Sequence, residues 1–132
     1  MTSRNEIQYL LMRSKEFLET AKYQLANGFY SLAAFSLEQG LQLFLKSKTL
    51  ACGVDYPRTH SVRALLEMLL SLVAEEEKLV IRQLLDEHLL ELGMLEDAYI
   101  TSRYVMREFR KEEVERLRKV VEEVIEKCRI EC

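Results

Sequence analysis

Residues 29–53 read FYSLAAFSLEQGLQLFLKSKTLACG, and this stretch decides the fold. Ala33, Leu37, Leu41, Phe44 and Leu45 recur at spacings of three and four, the period of a helical stripe facing a core. Leu32, Phe35 and Leu43 lie off that stripe, so a second side of the helix is also apolar. A helix apolar on most sides needs neighbours on most sides. The stretch is therefore expected to be the central rod of a helical bundle. Glu38, Gln39, Gln42 and Lys46 interrupt it, and these are the positions at which to ask about function.

On the N-terminal side, residues 4–26 predict a first helix with Ile7, Leu10, Leu11, Phe17, Leu18, Ala21 and Leu25 on its apolar stripe. Asn27 and Gly28 then form a helix stop, since both tolerate a left-handed C-terminal cap. So short a turn makes the second helix antiparallel to the first. The rod runs to about Cys52, where Gly53 is a second stop, and residues 53–59 form a loop with the only proline, Pro57.

Beyond the loop, Thr59 is the expected N-cap of a third helix, with His60 in its first turn and Val62, Leu65, Leu66, Leu69 and Val73 inward. The acidic residues Glu75, Glu76 and Glu77 lead into a fourth helix over 77–99, with Leu84, Leu85, Leu89, Leu92 and Leu95 inward. Gly93 within it marks a close helix contact or a bend. Residues 105–110 read as irregular, and 111–129 as a last helix with Val114, Leu117, Val121, Val124 and Cys128 on one side. No segment alternates as a strand does. The expected fold is all-α: one domain, 1–132, an up-and-down antiparallel bundle of four long helices plus a C-terminal helix.

Composition sets limits. A chain with 48% hydrophobic and 31% charged residues has the material for a core and argues against disorder. The net charge of −3 gives no general reason to bind nucleic acid. The charge is uneven, however. Residues 67–97 carry nine acids against two Lys or Arg, and residues 103–119 carry seven Lys or Arg against four acids. That pattern fits solvated helix faces of opposite sign, or a basic edge that receives an anion. The start MTSRNEIQYLLMRSKE is too charged for a signal peptide, and no run of 18 apolar residues exists to span a membrane. Three cysteines, Cys52, Cys128 and Cys132, are an odd number without a repeated spacing, so no disulfide framework is expected and a reducing cytoplasm is the default. No Cys or His cluster suggests a metal.

Two small constellations could carry chemistry. His60, with Arg58 and Arg63, stands around the start of the third helix, where free N–H groups can receive a phosphate. Otherwise His60 only caps or packs locally. Ser102, Arg103 and Tyr104 end the fourth helix, offering a bidentate phosphate grip and a ring for a base to stack on. Otherwise Tyr104 plugs the bundle end while Arg103 pairs with an acid.

Three segments occur in a telling order: AAFSLEQGLQLFLKSKTLACG in the rod, PRTHSVRALL across the loop, and YITSRY at the end of the fourth helix. With these separations the chain resembles a HEPN domain (higher eukaryotes and prokaryotes nucleotide-binding), most of all its small stand-alone archaeal and bacterial members. The resemblance implies a helical bundle, a homodimer and a functional cleft between subunits. It also implies one of two kinds of activity. Some members are nucleotide-binding partners of a minimal nucleotidyltransferase, in toxin–antitoxin-like pairs. Others are metal-free ribonucleases with an Arg followed by a His, four to six residues lying between them.

The ribonuclease motif is broken here. Arg103 fits the family Arg, but positions 108, 109 and 110 are Glu, Phe and Arg, and no His follows. The imidazole that would transfer the proton is missing. Arg82 and His88 satisfy the spacing in letters only: on a continuous helix six residues leave them about 120° apart. The expected function is a non-catalytic nucleotide-binding module, with Arg103 as phosphate clamp, Tyr104 as base or ribose contact, His60 as a second polar contact and Lys46 as a weaker candidate. No cofactor or metal is expected beyond the nucleotide ligand. The alternative is a metal-independent ribonuclease with a degenerate motif, using His60 or His88 with an arginine. A third reading gives Arg103 and Tyr104 to the fold alone.

Overall fold

Two glycines with left-handed backbone end the first two helices. Gly28 (φ +80°) and Gly53 (φ +84°) let the chain fold back on the helix it leaves, so that Phe29 N reaches Gln24 O at 2.8 Å and Val54 N reaches Thr49 O at 3.3 Å. The computed structural model describes the backbone of residues 2–104 and 107–132, and the side chains of 4–100 and 107–132. The helices are α1 (Thr2–Ala26), α2 (Tyr30–Ala51), α3 (Val62–Leu69), α4 (Glu75–Glu87), α5 (Leu89–Tyr104) and α6 (Lys111–Lys127). No strand occurs among the described residues, and the fold is an all-α bundle as expected.

The rod α2 is central: it packs on α1, α3, α5 and α6. Ala33, Leu37, Leu41, Phe44 and Leu45 are all buried. The second side differs from expectation. Leu32 is exposed, Phe35 and Leu43 are half-buried, and the buried places go instead to Glu38, Gln42, Ser47, Lys48 and Thr49. The hydroxyls find partners on their own helix, Ser47 on Phe44 O at 2.6 Å and Thr49 on Leu45 O at 2.9 Å. Burial without a satisfied polar group would be costly.

Close approach of α1 to α2 occurs at Gly40. Ser14 Oγ donates to Gly40 O at 2.6 Å, and a Cβ at position 40 would stand 2.6 Å from Leu18 Cδ2. Gly93, by contrast, is open: its nearest neighbour would be Arg63 Nη1 at 3.9 Å. The bend expected there lies five residues earlier. The single helix expected over 77–99 is two helices, with His88 (φ −116°, ψ 26°) between α4 and α5. The break keeps Leu84, Leu92 and Leu95 buried but turns Leu89 out to solvent. The acidic residues Glu75, Glu76 and Glu77 form the first turn of α4, where the helix dipole favours them.

Two further corrections concern α3 and the cysteines. Ser61, not Thr59, caps α3: its Oγ accepts from Ala64 N at 3.0 Å, so His60 precedes the helix. Cys52 and Cys132 form a disulfide with Cα atoms 4.9 Å apart across 80 residues, and Cys128 is a free, buried thiol. The C-terminal tail closes over Lys48, which is fully buried. Its Nζ donates to the carbonyls of Arg129 and Glu131. It also meets Glu77 Oε2 at 2.8 Å outside hydrogen-bond geometry, so that contact is ionic. A count of three cysteines hid this because one thiol serves only as an apolar filler in the core. No helix among the described residues is long and apolar enough to cross a membrane.

Candidate functional site

The polar interruptions of α2 assemble into a seam. Glu38 is fully buried, yet both its oxygens are bonded: Gln39 Nε2 donates to Oε1 and Gln42 Nε2 to Oε2, each at 2.7 Å. Lys46 Nζ in turn donates to Gln42 Oε1 at 2.9 Å and lies 5.2 Å from the centre of the Tyr56 ring, within cation–π range. Glu38, Gln42 and Lys46 recur every four residues on one helix face, and Gln39, three before Gln42, flanks them, which is why the sequence folds them into one chain of bonds. Burial pushes the Glu38 carboxyl up to about 7, against the bonds from Gln39 and Gln42 and the charge of Lys46, while Glu96 adds to the rise. Burial likewise lowers the Lys46 ammonium, with Glu38 partly offsetting it.

Glu96, on α5, forms the other wall. Ser61 Oγ donates to its Oε2 at 2.8 Å, and Arg63 grips it with Nε at 2.9 Å and Nη2 at 3.0 Å. Burial raises its carboxyl, but the bonds from Arg63 and Ser61 outweigh that and hold it below the usual range. Arg63 N also donates to Glu96 Oε2 at 3.2 Å. The first turn of α3, expected to receive a phosphate, thus already holds an anion of the chain's own. Arg63 is committed to Glu96, and Arg58 is exposed.

Above this wall runs a ladder of rings. Phe35 on α2 stacks with Tyr99 on α5 at 6.2 Å between centroids, and Tyr99 stacks with His60 at 4.2 Å and 17°. Tyr99 Oη and His60 Nε2 are also 3.1 Å apart. His60 is exposed, so the ladder leads from half-buried α2 to solvent. Lys46 is linked to Glu38 through Gln42, and Glu96 is linked to Ser61, the residue next to His60. Arg103 and Tyr104 fall in the last turn of α5, and their side chains lie outside the described residues.

The sequence singles out Glu38, Gln39 and Gln42, but not Glu96, which acts on Glu38, nor Tyr56 beside Lys46, nor Tyr99 beside Phe35. Tyr99 was legible, since it stands four residues before Arg103 on one helix. Glu96 was one of nine acids in its stretch, and nothing in the sequence separates it from the others. Among the described residues, one group brings metal-ligand donors together: Glu87, His88 and Glu123, at the α4–α5 joint rather than in the seam.

The model of the HEPN domain family matches residues 7–131. A comparison with curated proteins found no match. Among solved structures, the fold is similar to that of TT1696 from Thermus thermophilus, with a TM-score of 0.74 and 23% identity over 93% of this chain and 95% of that one.

Proposed function

The chain belongs to the HEPN domain family, and on that premise we propose that it is a non-catalytic nucleotide-binding module, acting as a homodimer beside a minimal nucleotidyltransferase in a toxin–antitoxin-like pair. The observation that carries this reading is the Phe35–Tyr99–His60 ladder, which ends at solvent on His60 and whose middle ring, Tyr99, is on the helix that carries Arg103. A nucleotide needs a ring to stack its base and a fork of donors for its phosphate. His60 supplies an exposed ring with a polar edge, and Arg103, four residues past Tyr99, supplies the guanidinium. Tyr104 is the second ring, contacting base or ribose. Lys46 adds positive charge from the α2 side of the seam. Exposed apolar side chains on and just after α1, among them Tyr9, Met12, Phe29 and Leu32, offer surface to a second copy.

The test is isothermal titration with ATP, GTP and UTP of the wild type, Arg103→Ala and His60→Ala. Saturable binding that weakens by at least about tenfold in Arg103→Ala supports the module, as expected for the loss of a charged bidentate contact. No binding up to millimolar nucleotide sinks the reading for the isolated protein.

A second reading, a degenerate metal-independent ribonuclease, is favoured by one observation. An exposed imidazole at His60 stacks on Tyr99 at the open end of the ladder, and an imidazole is the kind of proton-transfer group that metal-free cleavage needs. Metal-free RNA cleavage lost in His60→Ala or His88→Ala would replace the module reading with this one.

A further inference from the structure

The break between α4 and α5 has no glycine or proline to cause it. It falls at His88, and its effect is to carry the imidazole off the helical path and onto α6. There His88 Nε2 lies 3.1 Å from Glu123 Oε1. Glu87, the last residue of α4, adds a third donor, and the three ligand atoms all lie within 4.8 Å of one another. We propose that Glu87, His88 and Glu123 bind a divalent transition-metal ion of the zinc class, tying the α4–α5 joint to α6.

Geometry and donor type support this together. Zinc binds imidazole nitrogen and carboxylate oxygen at about 2.0–2.1 Å, which sets neighbouring ligands of a tetrahedron about 3.3 Å apart. His88 and Glu123 already stand at nearly that separation. Glu87 is exposed, and it has one carboxylate oxygen bonded to Gln83 Nε2 at 2.9 Å, so closing the remaining distance needs only a rotation of a surface side chain. One nitrogen and two carboxylate oxygens suit a borderline ion better than the hard, oxygen-rich shell of calcium. Three protein ligands leave the fourth position to water, the arrangement of an open site.

Lys127 bears on the same place. Its Nζ lies 2.9 Å from Glu123, but on Oε2, the oxygen that does not face His88. The ammonium is a rival cation on the far side of one ligand. Removing it would leave Glu123 freer to turn both oxygens to a metal.

The site would act on the fold first. Without Gly or Pro to define the joint, the angle between α4 and α5 is held by packing and by the His88–Glu123 contact. A metal would replace that one contact by three bonds to a common centre. Since α5 also carries Glu96 and Tyr99, the joint sets where one wall of the seam stands.

The experiment is a titration of chelator-treated protein with Co2+, followed by its visible bands, and with Zn2+, followed by competition with Co2+ and by thermal melting. The wild type is expected to bind one ion per chain with the intense bands of a four-coordinate Co2+ and no thiolate charge-transfer band. Glu123→Gln and Glu87→Gln should each weaken Zn2+ by at least about tenfold and abolish its stabilising shift. Lys127→Met should tighten binding several-fold. Glu87 is exposed, so its variant keeps the fold even if Glu123→Gln does not. Absence of saturable binding overturns the site, as does equal binding in wild type and Glu87→Gln, or a thiolate band pointing to Cys128.

Discussion

Glu38 is a carboxyl that the bundle buries without a formal partner cation in contact. Its oxygens are satisfied by two amides, and Lys46 acts on it through Gln42. Amide bonds favour the charged form less than a direct ion pair would, so burial wins and the carboxyl rises from 4.5 to about 7. A group that binds its proton more tightly in the folded state makes stability fall as pH rises between those two values. The Glu38 contribution is whole below pH 4.5, is lost as pH passes about 7, and amounts to about 3 kcal/mol. Glu96 has the opposite sign, since its carboxyl is held down and its contribution is lost toward low pH. The two are separated by urea unfolding of wild type and Glu38→Gln at a series of pH values. The variant should gain on the wild type steadily between pH 5 and 8, and parallel curves would refute the assignment. The sequence showed that Glu38 sat in an apolar helix. It did not show which charges from elsewhere would reach it.

Helices α1 and α2 meet across a glycine that nothing in the local sequence singles out. Gly40 admits Leu18 and lets Ser14 bond the rod's backbone, so it acts by closeness rather than by unusual dihedrals. Gly40→Val should destabilise the protein by about 1–3 kcal/mol, because Leu18 must leave its place and the α1–α2 contact must widen. Thermal melting measures it, and Gly40→Ala, which adds one methyl and gains helix propensity, should cost less. Element ends were legible where backbone chemistry marks them. Gly28 and Gly53 are stops because a left-handed residue was needed there. The joint at His88 was not legible, since no residue type there demands a break. The expected cap of α3 lies two residues too early because Thr59, Ser61 and their hydroxyls are equivalent as letters. In the fold Thr59 Oγ1 accepts from Ser61 N, while Ser61 Oγ caps the helix and donates to Glu96, which reaches over from α5.

Over the whole molecule, the chain's last residue is fixed to the end of its central helix. The Cys52–Cys132 bridge spans 80 residues and holds the tail whose carbonyls satisfy Lys48. Cross-linking a loop of that length removes about 4 kcal/mol of freedom from the unfolded chain. Cys132→Ser should therefore lower stability by up to about that amount under oxidising conditions. A reductant should bring the wild type down to the variant's level, and a wild type indifferent to reductant would show that the bridge does not contribute. What the sequence by itself determined is the helical class, the central rod and its inner stripe, the two glycine stops and the membership that its ordered segments announced. Those are local properties, written in periodicity and in residues that tolerate few conformations. The tertiary structure alone decided that the rod's second side would bury the charge of Lys48 under the tail, that Glu96 would fill the α3 terminus, that His88 would turn to Glu123 and that two of three cysteines would meet. Each depends on groups 33 to 83 residues apart along the chain, and only the packing of the bundle brings them within reach.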